Sequence, residues 1–138
     1  MERSLVLVKP DAMERGLAGA IIGRLQGEGL NLIGLKMLHM DKALAERHYA
    51  VHKGKSFYND LMAYMTSKPI VAAAFEGEGV IKRIRDLMGA TDPAKAAPGT
   101  IRKDYALDSL HNSIHGSDSP ENGEKEVALF FSKKELFV

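Results

Sequence analysis

Ser4-Leu5-Val6-Leu7-Val8 is an unbroken apolar run stopped by Lys9-Pro10-Asp11. A run this short, bounded by a turn signal, predicts a strand buried on both faces. Leu17, Ile21, Ile22 and Leu25 then recur at helical spacing, with Gly27 and Gly29 as the stop, so a first helix follows. Leu30 to Met40 is apolar but irregular and lies between Gly29 and Asp41, a length and setting that favour a second strand. Asp41 can cap a helix that runs through Tyr49. Phe57, Leu61, Met62 and Met65 form another helical stripe, ended by Ser67-Lys68-Pro69, and Ile70 to Phe75 reads as a buried strand. Val80, Ile84, Leu87 and Met88 make the next helix, closed by Gly89. Ala90 to Lys103 carries Pro93, Pro98 and Gly99 and reads as a long loop, a feature that in compact domains usually serves function. Ser119-Pro120 predicts the cap and first turn of a short helix, and Val127 to Phe131 the last strand. The sum is four strands interleaved with helices, an α/β layer with one sheet face packed against helices.

Composition narrows the class. The 138 residues, 45% hydrophobic and 27% charged, suit one globular domain over 1–138, with no repeat, low-complexity tract or linker to divide it. Nineteen Lys and Arg against eighteen Asp and Glu leave a net charge of +1, so no basic field advertises nucleic acid and any charge-based function is local. Cysteine is absent, which excludes disulfides, thiolate nucleophiles and Cys-ligated zinc and fits a reducing cytoplasm. The longest apolar run, Ile70 to Phe75, falls far short of the ~20 residues a membrane span needs, and no signal peptide or membrane contact is expected.

Several familiar signatures fail. Gly54-Lys55-Ser56 ends like a phosphate-binding P-loop, but Tyr49 stands where its first glycine belongs. His48 and His52 have the i, i+4 spacing of zinc ligands, yet Tyr49 follows His48 where a zinc protease has Glu, and no third ligand is evident; they read as two solvated histidines on a helix face. Gly77-Glu78-Gly79 lacks a third glycine and reads as a turn.

The informative segment is Asn112-Ser113-Ile114-His115-Gly116-Ser117-Asp118, which sets one imidazole among small polar residues in a stretch without periodicity. It reads either as a loop histidine held for access or as a turn histidine bonded to Ser117 or Asp118. Lys9 at a strand end, Arg85 on a helix and Arg102 after Pro98-Gly99-Thr100 are candidates for phosphate oxygens, although each alone also reads as a solvated charge. Thr91 and Asn112 could add neutral donors to the same anion.

Lys9-Pro10-Asp11, Arg15-Gly16-Leu17, His48-Tyr49, Pro98-Gly99-Thr100-Ile101-Arg102 and Asn112-x-x-His115-Gly116-Ser117-Asp118 with Glu126 together resemble the nucleoside diphosphate kinase family, in order from Arg3 to Phe137. The resemblance implies a ferredoxin-like α/β sandwich, with helices packed on a four-stranded antiparallel sheet. It also implies transfer of a γ-phosphate between ATP or other nucleoside triphosphates and nucleoside diphosphates, by a ping-pong route through a phosphohistidine. Carried over residue by residue, His115 matches the nucleophile, and Glu126 with Ser117 the pair that orients its ring. Lys9, Tyr49, Arg85, Thr91, Arg102 and Asn112 match phosphate and ribose contacts, and Phe57 the platform for the base. Mg²⁺ is expected to arrive on the nucleotide phosphates rather than in a protein cage, and a homo-oligomer is expected. Ala12, Ser109 and Lys103 depart from the family pattern. Two other readings compete: a catalytically idle interaction module of the same fold, and a phosphocarrier or phosphatase with a histidine intermediate.

Overall fold

The computed structural model describes residues 1–138. The chain runs β1 (Glu2–Val8), α1 (Pro10–Glu14), α2 (Ala18–Gly27), β2 (Asn31–Leu38), α3 (Lys42–His48), α4 (Tyr58–Met65), β3 (Ile70–Gly77), α5 (Val80–Met88), α6 (Ile101–Tyr105), β4 (Ile114–Gly116) and α7 (Pro120–Phe130). The four strands form one sheet in the order β2-β3-β1-β4, with every neighbouring pair antiparallel.

The unbroken apolar run of β1 is explained by burial on both sides. Side chains alternate between faces along a strand, and Leu5 and Leu7 join Ala72 and Ala74 of β3 in one core cluster, with α3, α4 and α7 over them. Val6 and Val8 join Ala73 and Phe75 in a second cluster, covered by α2, α5 and α6. The expectation that helices pack on one sheet face is therefore corrected: both faces are covered. Each fully buried Leu, Ile, Val or Phe in these clusters contributes about 1.5–3 kcal/mol.

The last strand is also corrected. Val127 to Phe131 is not a strand; Val127–Phe130 forms the end of α7, with Phe131 as its C-cap. Gly123, Val127 and Phe130 recur at i, i+4 and i+7 and are the residues of this helix that turn inward, so burial of one helical face overrode the β-like composition of the run. Ser119 caps the helix as expected, its hydroxyl accepting the Asn122 N–H at 3.1 Å. Gly123 lets α7 lie close on β1, because a methyl group there would run into the Arg3 carbonyl. The fourth strand is instead the three-residue β4, so His115 sits on a strand at the sheet edge rather than in a loop. The expected loop from Ala90 to Lys103 contains a 3₁₀ turn at Pro93–Lys95 and the start of α6, where the Thr100 hydroxyl accepts the Lys103 N–H. Lys9-Pro10-Asp11 does not merely turn the chain: Pro10 opens α1. Ala12 lies inside that helix and outside the positive-φ residues, so the departure from glycine there strains nothing.

Candidate active site

β4 pairs with β1 in the register Val6↔Gly116, Leu7↔His115, Val8↔Ile114. Opposed residues share a face, so His115 projects on the Leu7 side, toward α3 and α7, while Gly116 faces α5. A side chain at Gly116 would meet Met88 and Ile84, and its absence lets α5 press against the strand that carries His115.

Three polar contacts fix the imidazole. His115 Nε2 lies 2.9 Å from Glu126 Oε1, and the same oxygen accepts the Ser117 hydroxyl at 2.6 Å. Ser117 Oγ in turn accepts the Leu5 N–H at 2.9 Å. Burial raises the Glu126 carboxyl, but the hydrogen bond and charge of His115 and the Ser117 hydroxyl outweigh it and hold the group below its ordinary range. An ionised carboxylate only accepts, so the ring proton belongs on Nε2, and Nδ1 keeps its lone pair.

A cavity of about 790 Å³ opens beside this ring. Lys9, Tyr49, Phe57, Arg85, Thr91, Arg102, Asn112, His115 and Glu126 all line it. Ser117, the remaining residue expected from the sequence, stands behind Glu126 and touches it through its hydroxyl. Lys9 Nζ donates to Asn112 Oδ1 at 2.8 Å, and the Lys9 backbone N–H donates to the Ser113 carbonyl at 2.9 Å. Burial, reinforced by the nearby Arg102 charge, lowers the Lys9 amine to about 7. Arg102 is 6% exposed, and its guanidinium donates to the Gly89 and Ile114 carbonyls at 3.2 and 2.8 Å. Its Nε has no partner. Burial first, then Arg85, lowers Arg102 to about 10. The buried Lys9 and Arg102 oppose each other's charge, and the exposed Arg85 adds to that opposition at Arg102, until an anion arrives. At the mouth, the rings of His52 and Phe57 meet edge to face at 5.3 Å, and Phe57 is 42% exposed, available as an apolar platform.

Two features escaped the sequence. His48 and His52 are not two solvated histidines on one helix. The chain leaves α3 at Tyr49, which puts His52 in a 3₁₀ turn and sends the His48 ring inward against Phe130 at 5.1 Å and His115 at 4.9 Å. Both nitrogens of His48 are shut off from solvent without a hydrogen-bond partner. Burial, then the neighbouring His115, lowers its pKa to about 3, so the ring is neutral. One ligand atom each from His48, His115 and Glu126 lies within 4.8 Å of the other two. Periodicity treats a helix-face histidine as solvated and holds no signal for this cluster.

The second is the anchor under the Asn112 turn. Asp11 is 4% exposed. It accepts from the Ser113 N–H at 3.2 Å, the Ser113 hydroxyl at 2.6 Å, the Arg15 guanidinium at 3.0 Å and the Tyr64 hydroxyl. Ser113 is held at φ 70°, the one non-glycine residue in the left-handed region. The Lys-Pro-Asp turn therefore sets the path of the strand that carries His115.

No helix is long and apolar enough to cross a membrane. The family model for nucleoside diphosphate kinase matches residues 2–136. A nucleoside diphosphate kinase of Roseiflexus castenholzii is 56% identical over 136 residues, covering 99% of this chain and 91% of that one. A nucleoside diphosphate kinase of Dehalococcoides mccartyi is 55% identical, covering 99% and 96%. Among solved structures, the Halobacterium salinarum nucleoside diphosphate kinase in complex with CDP superimposes with a TM-score of 0.96 at 47% identity, covering 99% of this chain and 91% of that one. The Aquifex aeolicus enzyme gives a TM-score of 0.94 at 43% identity, covering 98% of each chain.

Proposed function

The chain belongs to the nucleoside diphosphate kinase family, and from that membership we infer how its residues move a γ-phosphate from a nucleoside triphosphate to a nucleoside diphosphate. The observation that carries the reading is the His115–Glu126 pair on the cavity wall, with Nε2 engaged at 2.9 Å and Nδ1 free of any protein hydrogen bond. The reading of an idle module of the same fold leaves this arrangement without a purpose.

Nδ1 attacks the γ-phosphorus. Its lone pair forms the P–N bond, the bond to the bridging oxygen breaks, and that electron pair leaves on the diphosphate. The imidazole becomes positive as the bond forms, and the Glu126 carboxylate on Nε2 stabilises that charge. Lys9, Arg85 and Arg102 neutralise the phosphate oxygens, in a reaction that depends more on positioning and charge than on covalent help. Thr91 and Asn112 are neutral donors to the same oxygens, Tyr49 is a further phosphate or ribose contact and Phe57 the platform for the base, and all four line the cavity. Stacking on one aromatic reads no base edge, which supports broad nucleotide choice. In the second half, the terminal oxygen of an acceptor diphosphate attacks phosphorus, and the P–N electrons return to Nδ1.

Mg²⁺ keeps several waters and binds through one or two carboxylates plus phosphates. The cavity fits such an ion: Glu126 is committed to His115 and Ser117, Asp118 is the other carboxylate on the wall, and the rest of the charge there is cationic. When bound, the hydrated ion neutralises and orients the nucleotide phosphates it arrives with. Residues 1–138 act as a single catalytic domain. Leu35 and Met37 on the edge strand β2 are exposed and support a homo-oligomer, and the lack of cysteine supports a cytoplasmic setting.

Incubation with Mg-ATP and GDP tests the reading, the expected product being GTP. Label from γ-labelled ATP should be acid-labile, base-stable and absent from His115→Ala. Full labelling of that variant would remove His115 from the role.

A further inference from the structure

We propose that His48, His115 and Glu126 form a binding site for a borderline divalent transition ion such as Zn²⁺, and that an ion bound there switches the nucleophile off. The starting observation is His48: an imidazole with both nitrogens hidden from solvent and neither hydrogen-bonded. A buried polar group without a partner is costly, and nothing in the phosphoryl transfer uses this one. One of its nitrogens, one nitrogen of His115 and one carboxylate oxygen of Glu126 lie within 4.8 Å of one another.

The donor set, two imidazole nitrogens and one carboxylate oxygen, is that of zinc sites with an open fourth position. Ligand bonds near 2.1 Å in a tetrahedron place donor atoms ~3.4 Å apart, so closure needs movements on the order of 1 Å. The 2.9 Å gap between His115 Nε2 and Glu126 Oε1 is already shorter than that spacing, and the His48 side supplies most of the movement. Lys9, Arg85 and Arg102 line the same cavity and oppose a dication. That opposition weakens any dication alike; the choice between ions comes from the donors, because Mg²⁺ demands oxygen ligands and holds its water, whereas two imidazoles and one carboxylate suit ions that form short, directional bonds to nitrogen.

The functional consequence rests on the reading of His115 as the nucleophile; the binding does not. An ion on Nε2 takes the place of the proton that faces Glu126, and a neutral imidazole then carries its proton on Nδ1, where the attacking lone pair was. No proton leaves the ring; it changes nitrogen. An ion on Nδ1 occupies that lone pair directly. Either arrangement removes the nucleophile without blocking the Phe57 end of the cavity.

The test uses the full chain, stripped with a chelator and free of nucleotide. Zn²⁺ is titrated in competition with a chromogenic chelator, and the ring nitrogens are followed by ¹H–¹⁵N NMR. One Zn²⁺ per chain is expected, weakened about ten- to a hundredfold or more in both His48→Asn and Glu126→Gln, with the His115 nitrogen signals shifted and Mg²⁺ without effect at the same concentration. Zn²⁺ that binds equally well after both substitutions sits on surface histidines such as His39 or His111 and overturns the site. So does the absence of binding, or His115 ring signals that do not move in the unsubstituted protein. Phosphate label is measured separately, so failure of His115 to become labelled overturns the catalytic reading while the isotherm still decides the metal site.

Discussion

The Ser117 hydroxyl donates to Glu126 Oε1 at 2.6 Å while it accepts the Leu5 N–H at 2.9 Å, so the carboxylate that reaches in from α7 is tied to the backbone of β1. β1 is the strand on which β4 and His115 are registered. The imidazole and the carboxylate are thus both referred to β1, the first through the pairing of β4 and the second through Ser117 just beyond it.

Glu126→Gln keeps the shape of this contact and removes its charge. Turnover should fall tens- to hundreds-fold, as for loss of a partner that tunes a reacting group, while the melting temperature changes little. Ser117→Ala, which leaves the charge but loosens its placement, should cost less. Steady-state kinetics on both variants check the order, and unchanged turnover in Glu126→Gln would mean that the carboxylate does not support the ring.

Lys9 gives a pH dependence with a definite sign. Burial and Arg102 lower its amine to about 7 in the free protein. Bound phosphate favours the ammonium and raises it again. Above pH 7 the free protein carries largely neutral Lys9 and the complex carries the charged form, so binding takes up a proton. ADP affinity should be nearly flat in this respect below pH 7 and should fall up to tenfold per unit above it. Calorimetry at pH 8 in buffers of different ionisation enthalpy should show uptake approaching one proton, and none in Lys9→Met.

Asp11 holds Ser113 in the left-handed region through two hydrogen bonds and also gathers Arg15 and Tyr64. Asp11→Ala leaves the buried Ser113 N–H and hydroxyl without their acceptor, while the exposed Arg15 keeps the Tyr105 carbonyl, and should cost about 1–3 kcal/mol in denaturant unfolding. The turn it releases carries Asn112, the partner of Lys9 Nζ, so KM for nucleotide should rise as well. A loss below about 1 kcal/mol would show that the turn holds itself.

What the sequence made legible follows from where local pattern and tertiary need agree. Leu17, Ile21, Ile22 and Leu25 read as a helix because the same spacing faces the second core cluster. The motif around His115 was legible as chemistry, but its strand was not: three residues at a sheet edge carry too little periodicity to register, and β4 exists only because β1 is there to pair with. Val127 to Phe131 misled for the opposite reason, since five apolar residues suit a strand or a buried helix equally until Gly123 brings that helix onto Arg3. His48 was unreadable because its burial depends on Phe130 and His115, residues remote from it in the chain.

The kinetic form of the reaction follows from there being one phosphate cradle. Lys9, Arg85 and Arg102 line the same cavity as Phe57, the only apolar platform recognised for a base. On the proposed roles of these residues, donor and acceptor take turns, and the phosphate waits on His115 between them. Initial-rate plots at several fixed acceptor concentrations should be parallel. Protein with Mg-ATP alone should release ADP up to about one per chain and stop, because the phosphohistidine then lacks an acceptor. Release that continues would mean that water reaches the P–N bond past Lys9 and Arg102 and that the chain acts as a phosphatase. Intersecting lines would require two nucleotides in a cavity of about 790 Å³ beside a single histidine, and would transfer the phosphate directly, leaving His115 no covalent part.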